Sequence, residues 1–111
     1  MKKTFLIAFF GMCSVFIADA GFVDATETVV TVRQVKEMRD EVHVVLKGNI
    51  IQRMGDEEYL FEDSTGSITV EIDDDDWRGL SVSPSDTVKL QGEVDRGLFK
   101  TEIDVDFVEK I

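Results

Sequence analysis

The sequence predicts a mainly β protein: a small five-stranded barrel with a short helix ahead of its first strand. Three observations carry this. After Asp40, apolar residues alternate with polar ones at a spacing of two, the period of half-buried strands. The stretches Val44-Val45-Leu46-Lys47-Gly48-Asn49-Ile50 and Val88-Lys89-Leu90-Gln91-Gly92-Glu93-Val94 share one pattern, apolar-x-Leu-x-Gly-x-apolar. A short antiparallel sheet removes its exposed edges by closing on itself, and glycines inside two strands supply the sharp coiling that closure needs.

The chain opens with Met1-Lys2-Lys3, followed by an uncharged, almost wholly apolar run from Thr4 to Ala18 and the small residues Ala18 and Ala20 around Asp19. Basic, apolar and small segments in that order spell a secretory signal peptide, residues 1–20. The apolar run is short of the ~20 residues a membrane-crossing helix needs. Cleavage is expected after Ala20, with Ala25 the alternative. Cys13 lies inside the apolar run behind Met12, so it is not placed for lipidation and leaves with the peptide. The mature chain then has no cysteine, which excludes disulfides, thiol chemistry and Cys-based metal sites.

Residues 21–111 form one domain by size. Losing two lysines and one aspartate with the peptide takes the net charge from -11 to -12. Such a chain repels phosphate backbones, and steers cationic partners toward itself; the plainer reading is that the charge keeps a small domain soluble.

Residues 21–30 show little periodicity and read as a flexible lead-in. Thr31 with Gln34 has capping-box spacing, and Val32, Val35 and Met38 continue a helix to about Arg39-Asp40. The first strand carries Val42, Val44, Leu46 and Ile50 inward, with Gly48 at a bend. Met54-Gly55-Asp56 turns the chain, Tyr59 and Phe61 face inward on the second strand, and Asp63-Ser64-Thr65-Gly66 is strong turn chemistry. Ile68, Val70 and Ile72 form the third inward face. A short helical insert near Trp77 and a connector from Leu80 to Pro84 precede the fourth strand (Val88, Leu90, Val94). Phe99, Ile103, Val105 and Phe107 are expected inward on the fifth. Trp77, the sole tryptophan, is expected to be largely buried. Glycine kinks in the first and fourth strands, with a helical insert between the third and fourth, describe an OB-type barrel over residues 31–111.

Specific segments go further. Leu46-Lys47-Gly48-Asn49-Ile50, Tyr59-Leu60-Phe61-Glu62-Asp63, Gly66 through Asp73, Trp77-Arg78-Gly79, Asp86-Thr87-Val88, Gly92-Glu93-Val94-Asp95 and Glu102-Ile103-Asp104-Val105 resemble the bacterial OB-fold (BOF) family of periplasmic stress-tolerance proteins, the YgiW/YdeI type. The resemblance covers nearly all of residues 31–111. It implies an OB barrel, a periplasmic location and a role in tolerating envelope stress, without an established enzymatic activity. It supplies no site residues.

The residues themselves suggest two acidic sites. Asp73, Asp74, Asp75 and Asp76 form a candidate weak cation site, though an EF-hand is excluded: with Asp74 first, Arg78 occupies the fifth ligand position and Ser85 the twelfth. The plainer reading is that they cap a helical turn starting near Trp77. Glu102, Asp104 and Asp106 share a strand face with Glu93 opposite, a candidate acidic binding face; its plainer reading is a solvated outer surface. His43 alternates with Val42 and Val44 and belongs on the outer face, where one histidine without cysteine builds no zinc site.

Single-stranded nucleic acid needs a positive groove with exposed aromatics. The outer faces are acidic and Tyr59, Phe61, Phe99 and Phe107 read as inward, so nucleic acid is not an expected partner. No cofactor is expected. Paired carboxylates can hydrolyse glycosides, but a side-chain-filled barrel leaves little cleft. The sequence therefore predicts a periplasmic, non-enzymatic and monomeric binding protein, not embedded in a membrane. Its ligand is a basic peptide, a divalent cation or an envelope component. The alternative is a module docking onto another envelope protein through its outer strand face. Intact mass of protein from a periplasmic fraction is expected to match a chain beginning at Gly21 without lipid; a species retaining Cys13 contradicts the export reading.

Overall fold

The computed structural model describes residues 28–111; the signal peptide, the Ala20 and Ala25 cleavage sites and residues 21–27 of the lead-in lie outside that range. The chain runs α1 (Val32–Val35), β1 (His43–Arg53), β2 (Glu58–Asp63), β3 (Gly66–Ile72), α2 (Asp74–Trp77), β4 (Val88–Arg96) and β5 (Thr101–Lys110). The strands close into a barrel in the order β1-β2-β3-β5-β4, antiparallel throughout except for the parallel β3–β5 seam. This is the five-stranded OB barrel expected from the sequence.

Each strand sends alternate residues inward. Val44, Leu46 and Ile50 of β1 meet Phe61 of β2, Ile68, Val70 and Ile72 of β3, Val88, Leu90 and Val94 of β4, and Ile103, Val105 and Val108 of β5 in one core. No polar or charged residue is buried among the described residues.

Closure depends on two glycines at points of close approach. β1 pairs with β4 through Gly48 and with β2 from Asn49 onward, so the strand bends between two sheets at that residue. A Cβ on Gly48 would stand 2.3 Å from the Glu62 carbonyl oxygen and 2.8 Å from Cζ of Phe61. Gly92 marks the matching irregularity between β4 and β5, and its Cβ would meet the Asp104 carbonyl oxygen at 2.3 Å.

The same irregularity corrects one expectation. Gln91 pairs with Phe107 but Gly92 pairs with Val105, leaving Asp106 as an extra residue. The alternation is reset there: Val108 takes the inward position, and Phe107 lies only half-buried beneath the guanidinium of Arg78, 4.5 Å from the ring centre. Phe99 is a second correction. It sits in the four-residue β4–β5 turn, closed by the Gly97 N–H donating to the Lys100 carbonyl, and is 97% exposed. Alternation counted backward through a turn has no meaning, which is why the reading failed.

Val32 and Val35 of α1 are fully buried against the barrel. Thr31 and Gln34 form the expected reciprocal capping box. Asp63 accepts the Val32 N–H (2.9 Å) and Thr65 Oγ1 the Arg33 N–H (3.1 Å), so the β2–β3 turn holds the helix start. Burial pushes the Asp63 carboxyl up, but hydrogen bonds from Thr65, Val32 and Gly66 outweigh it and hold the group below the usual carboxylate range. The helix is shorter than expected, ending at Val35 and leaving Met38 in the following turn. Arg96 stops it: its guanidinium takes the Lys36 carbonyl (3.1 Å) and its N–H takes Asp40 Oδ1 (2.8 Å).

α2 begins one turn earlier than expected, with Asp73 as N-cap and Trp77 at its end. Trp77 is half-buried, not largely buried, in a T-shaped contact with the equally half-buried Tyr59 at 5.3 Å between ring centres. With Leu80 and Val82 it packs against the core from outside it.

Gly92→Ala is expected to destabilise the barrel by about 3 kcal/mol, the upper part of the overpacking range, because its neighbour is backbone. Gly79→Ala sets the contrast: it stays below that because nothing lies within 4 Å, although the positive φ of 77° adds strain. Urea unfolding of both variants checks the order.

Candidate acidic site

Strand register assembles the site. Glu58 pairs with Glu71 across β2–β3, Glu71 with Asp104 across β3–β5, Asp104 with Glu93 across β5–β4, and Glu93 with His43 across β4–β1. Four carboxylates therefore lie in one row across the strands, with His43 at its end, 3.3 Å from Glu93. Neighbouring strands are ~4.8 Å apart, so the row from Glu58 to Glu93 is about 14 Å long.

Of the expected acidic face, Asp104 and Glu93 stand directly opposite each other, Glu102 lies two register positions away opposite Asp95, and Asp106 projects from the bulge. Glu102 departs from the solvated surface anticipated for it: its side chain is only 13% exposed and pairs with Lys100 at 2.6 Å. Glu58 and Glu71 are further members of the row that sequence reading missed. Nothing local links them to β5, because the linking seam is parallel and joins strands separated by α2 and β4.

Like charges in register raise one another's proton affinity. Burial, then Asp104, Glu57 and Glu102, push the Glu71 carboxyl up. Burial, then Asp95, Glu93 and Asp106, do the same for Asp104.

The aspartate run adjoins this row. Asp73 Oδ1 accepts the Asp75 N–H at 3.3 Å, and Asp74, Asp75 and Asp76 occupy the first turn of α2. Burial, Asp73 and Asp106 raise the Asp76 carboxyl, with Arg78 opposing them, so α2 reaches the bulge of β5 electrostatically. Asp73 is the largest influence raising Glu57 on the β1–β2 loop. Among the described residues, no three acids or histidines converge as ligands of a single metal ion. The aspartate run and the β5 carboxylates thus lie close enough to act on each other electrostatically.

Comparison with known proteins agrees with this architecture. Residues 11–110 match the family described as bacterial OB fold (BOF) protein. The chain belongs to the bacterial OB-fold family. It is 45% identical to protein YgiW of Escherichia coli K12 over 84 residues, 76% of this chain and 65% of that protein. The chain thus spans just under two thirds of the YgiW proteins it matches. It is 45% identical over 108 residues to the calcium-regulated OB-fold protein CarO of Pseudomonas aeruginosa, covering 96% of this chain and 93% of CarO. The solved structure of E. coli ygiW superposes with a TM-score of 0.76 at 43% identity, over 84% of this chain and all of that one. The telomere capping protein Ten1 of Schizosaccharomyces pombe shares the fold alone, at 15% identity and a TM-score of 0.60 over 74% of this chain and 78% of that one.

The raised proton affinity of Asp104 fixes the sign of its pH effect. A carboxyl whose pKa is raised by folding adds stability below the ordinary carboxylate range and loses it as pH rises through the raised value. Asp104 is exposed and water screens its repulsion, so Asp104→Asn is expected to stabilise the BOF domain by no more than about 0.5 kcal/mol near pH 7. The gain should vanish below about pH 3.5, where the unfolded carboxyl is also protonated. Chemical unfolding at the two pH values measures it.

Proposed function

We propose that this BOF protein is exported to the periplasm and contributes to envelope stress tolerance as a non-enzymatic protein that binds a cationic ligand along the carboxylate row. The observation that carries the reading is the in-register sequence Glu58, Glu71, Asp104, Glu93. A row of like charges costs stability in the free protein, and an opposing charge laid along it relieves that cost. Its length of about 14 Å suits an extended basic peptide better than a point ion, whose oxygen ligands must converge within ~2.3–2.6 Å. Asp106 and the Asp73–Asp76 run extend the surface beyond the row's centre. The export reading rests on the basic, apolar and small segments of residues 1–20.

A second reading has one specific support: a relative carries the description calcium-regulated. Divalent ions would then gather diffusely at the α2 end, where Asp73, Asp74 and Asp75 act electrostatically on Glu57 and Asp106 acts on Asp76.

Calorimetric titration with a lysine-rich peptide and separately with calcium chloride distinguishes the two. The peptide is expected to bind, more weakly as salt rises past the ~8 Å screening length of physiological buffer. Glu71→Gln with Asp104→Asn should lower the on-rate without loss of the fold. Salt-independent peptide binding, or tight binding of single-stranded DNA at physiological salt, contradicts the proposal.

A further inference from the structure

The molecule has a second surface of opposite character. β3 pairs with β2 from Gly66 through Glu71, but with β5 only over Val70, Glu71 and Ile72. Among the described residues, no strand pairs with the other side of residues 66–69. In a strand, alternate residues direct their N–H and C=O groups to each side, so this edge offers an unused ladder. β5 diverges here because its chain is turning back into β4 through the Leu98–Phe99 loop.

A cavity of about 440 Å³ opens in the gap, lined by Lys36, Leu60, Thr69, Arg96, Phe99 and Lys100 among others, none of them a carboxylate. In a chain of net charge -11 that is a local reversal of sign. Arg96 is fixed in place by the Lys36 carbonyl and by Thr101 Oγ1 (2.8 Å). Lys100 is held by Glu102 from the β5 side. Lys36 makes no ion pair among the described residues. Beside these cations Leu98 and Phe99 are 95% and 97% exposed. Single exposed apolar residues need no explanation. An adjacent pair on a turn that roofs a cavity, next to an open strand edge, marks an interaction surface.

We propose that residues 66–69 of β3, with the Leu98–Phe99 loop and the cations Lys36, Arg96 and Lys100, take up an extended acidic peptide as an added strand. The unused ladder supplies main-chain hydrogen bonds, as in other strand-addition complexes. Alternate side chains of the added strand point to opposite faces. Acidic ones on one side meet the cations, and an apolar one rests on Phe99. The row Glu58, Glu71, Asp104, Glu93 borders the site, with Glu71 two residues along β3 from Thr69 and Glu58 two along β2 from Leu60, and its charge would repel the same peptide and confine it to the gap.

Fluorescence anisotropy of a rhodamine-labelled peptide alternating glutamate with valine, titrated with the purified protein, tests this. Binding is expected, weakened at least about tenfold by Phe99→Ala and by Lys36→Glu. Thermal melting of both variants should match the parent, since both side chains are exposed. A peptide of the same composition interrupted by proline is expected to bind at least about tenfold more weakly, because proline removes a ladder donor. Amide shifts on binding should centre on residues 66–69. The proposal is overturned by any of four results. These are failure of the acidic peptide to bind, equal binding of the proline-interrupted peptide, or competition by oligo-dT with the same sensitivity to Phe99→Ala. The fourth is concentration-dependent self-association that Phe99→Ala abolishes and the peptide does not compete with.

Discussion

A Cβ on Gly48 would stand 2.3 Å from the Glu62 carbonyl oxygen, and one on Gly92 at the same distance from that of Asp104. No side chain tolerates either approach, so both residues are hydrogen at that position because the backbones pass so closely. At Gly48 the shared strand β1 leaves one half of the barrel for the other, and the side chain of Phe61 fills the space above it. At Gly92 the β4–β5 register slips by a residue. A five-stranded sheet closes only if its strands coil sharply, and these two contacts are where this one does so. The continuous core, from Val44 to Val108, exists because the sheet returns on itself.

Both surfaces follow from that closure. Once β5 is brought against β3, Asp104 comes beside Glu71, and the row Glu58, Glu71, Asp104, Glu93 is complete. Yet the parallel seam is short, because β5 must still turn back into β4. Where it ends, the edge of β3 is left open and the Leu98–Phe99 turn stands over the gap. The like charges of the row are tolerated because the apolar interior beneath them is unbroken and each stays at least partly open to water that screens it. Arg78 and Lys100 temper it at its margins, the one against Asp76 and the other on Glu102.

The five strands, the capping box at Thr31 and the role of the repeated glycine pattern were legible because each is a local signal: period two, a three-residue spacing, an apolar-x-Leu-x-Gly-x-apolar segment. What escaped was set by pairing at a distance. Phe107 has the right parity to face inward, but the bulge at Asp106 reverses parity, and only the β4 partner reveals the bulge. Phe99 carries the same apolar label as a core residue and belongs to a turn. Half of the acidic site was visible as Glu93, Asp104 and their neighbours; Glu58 and Glu71 join it only through the β3–β5 seam. The helix of the sequence pattern runs on through Met38, and the guanidinium of Arg96, far along the chain, decides that it stops.

The misplacement of Phe99 alters the functional argument as well as the fold. With that ring inward, the outer surface is acid-rich and offers no exposed aromatic, which argues against nucleic acid and favours a cationic or envelope-derived ligand. With the ring exposed beside Lys36 and Arg96, the surface is divided. The carboxylate row is long, regular and built from strand faces, a geometry that attracts by charge and discriminates little. The gap at β3 is short and holds unused main-chain groups, so it can discriminate by strand register and by which side chains fall on Phe99. Electrostatic steering and specific recognition make opposite demands, since one needs reach through water and the other needs close, directional contact. In this barrel the two demands meet on β3, with Glu71 in the row and residues 66–69 at the gap, and the diverging end of β5 marks where one gives way to the other.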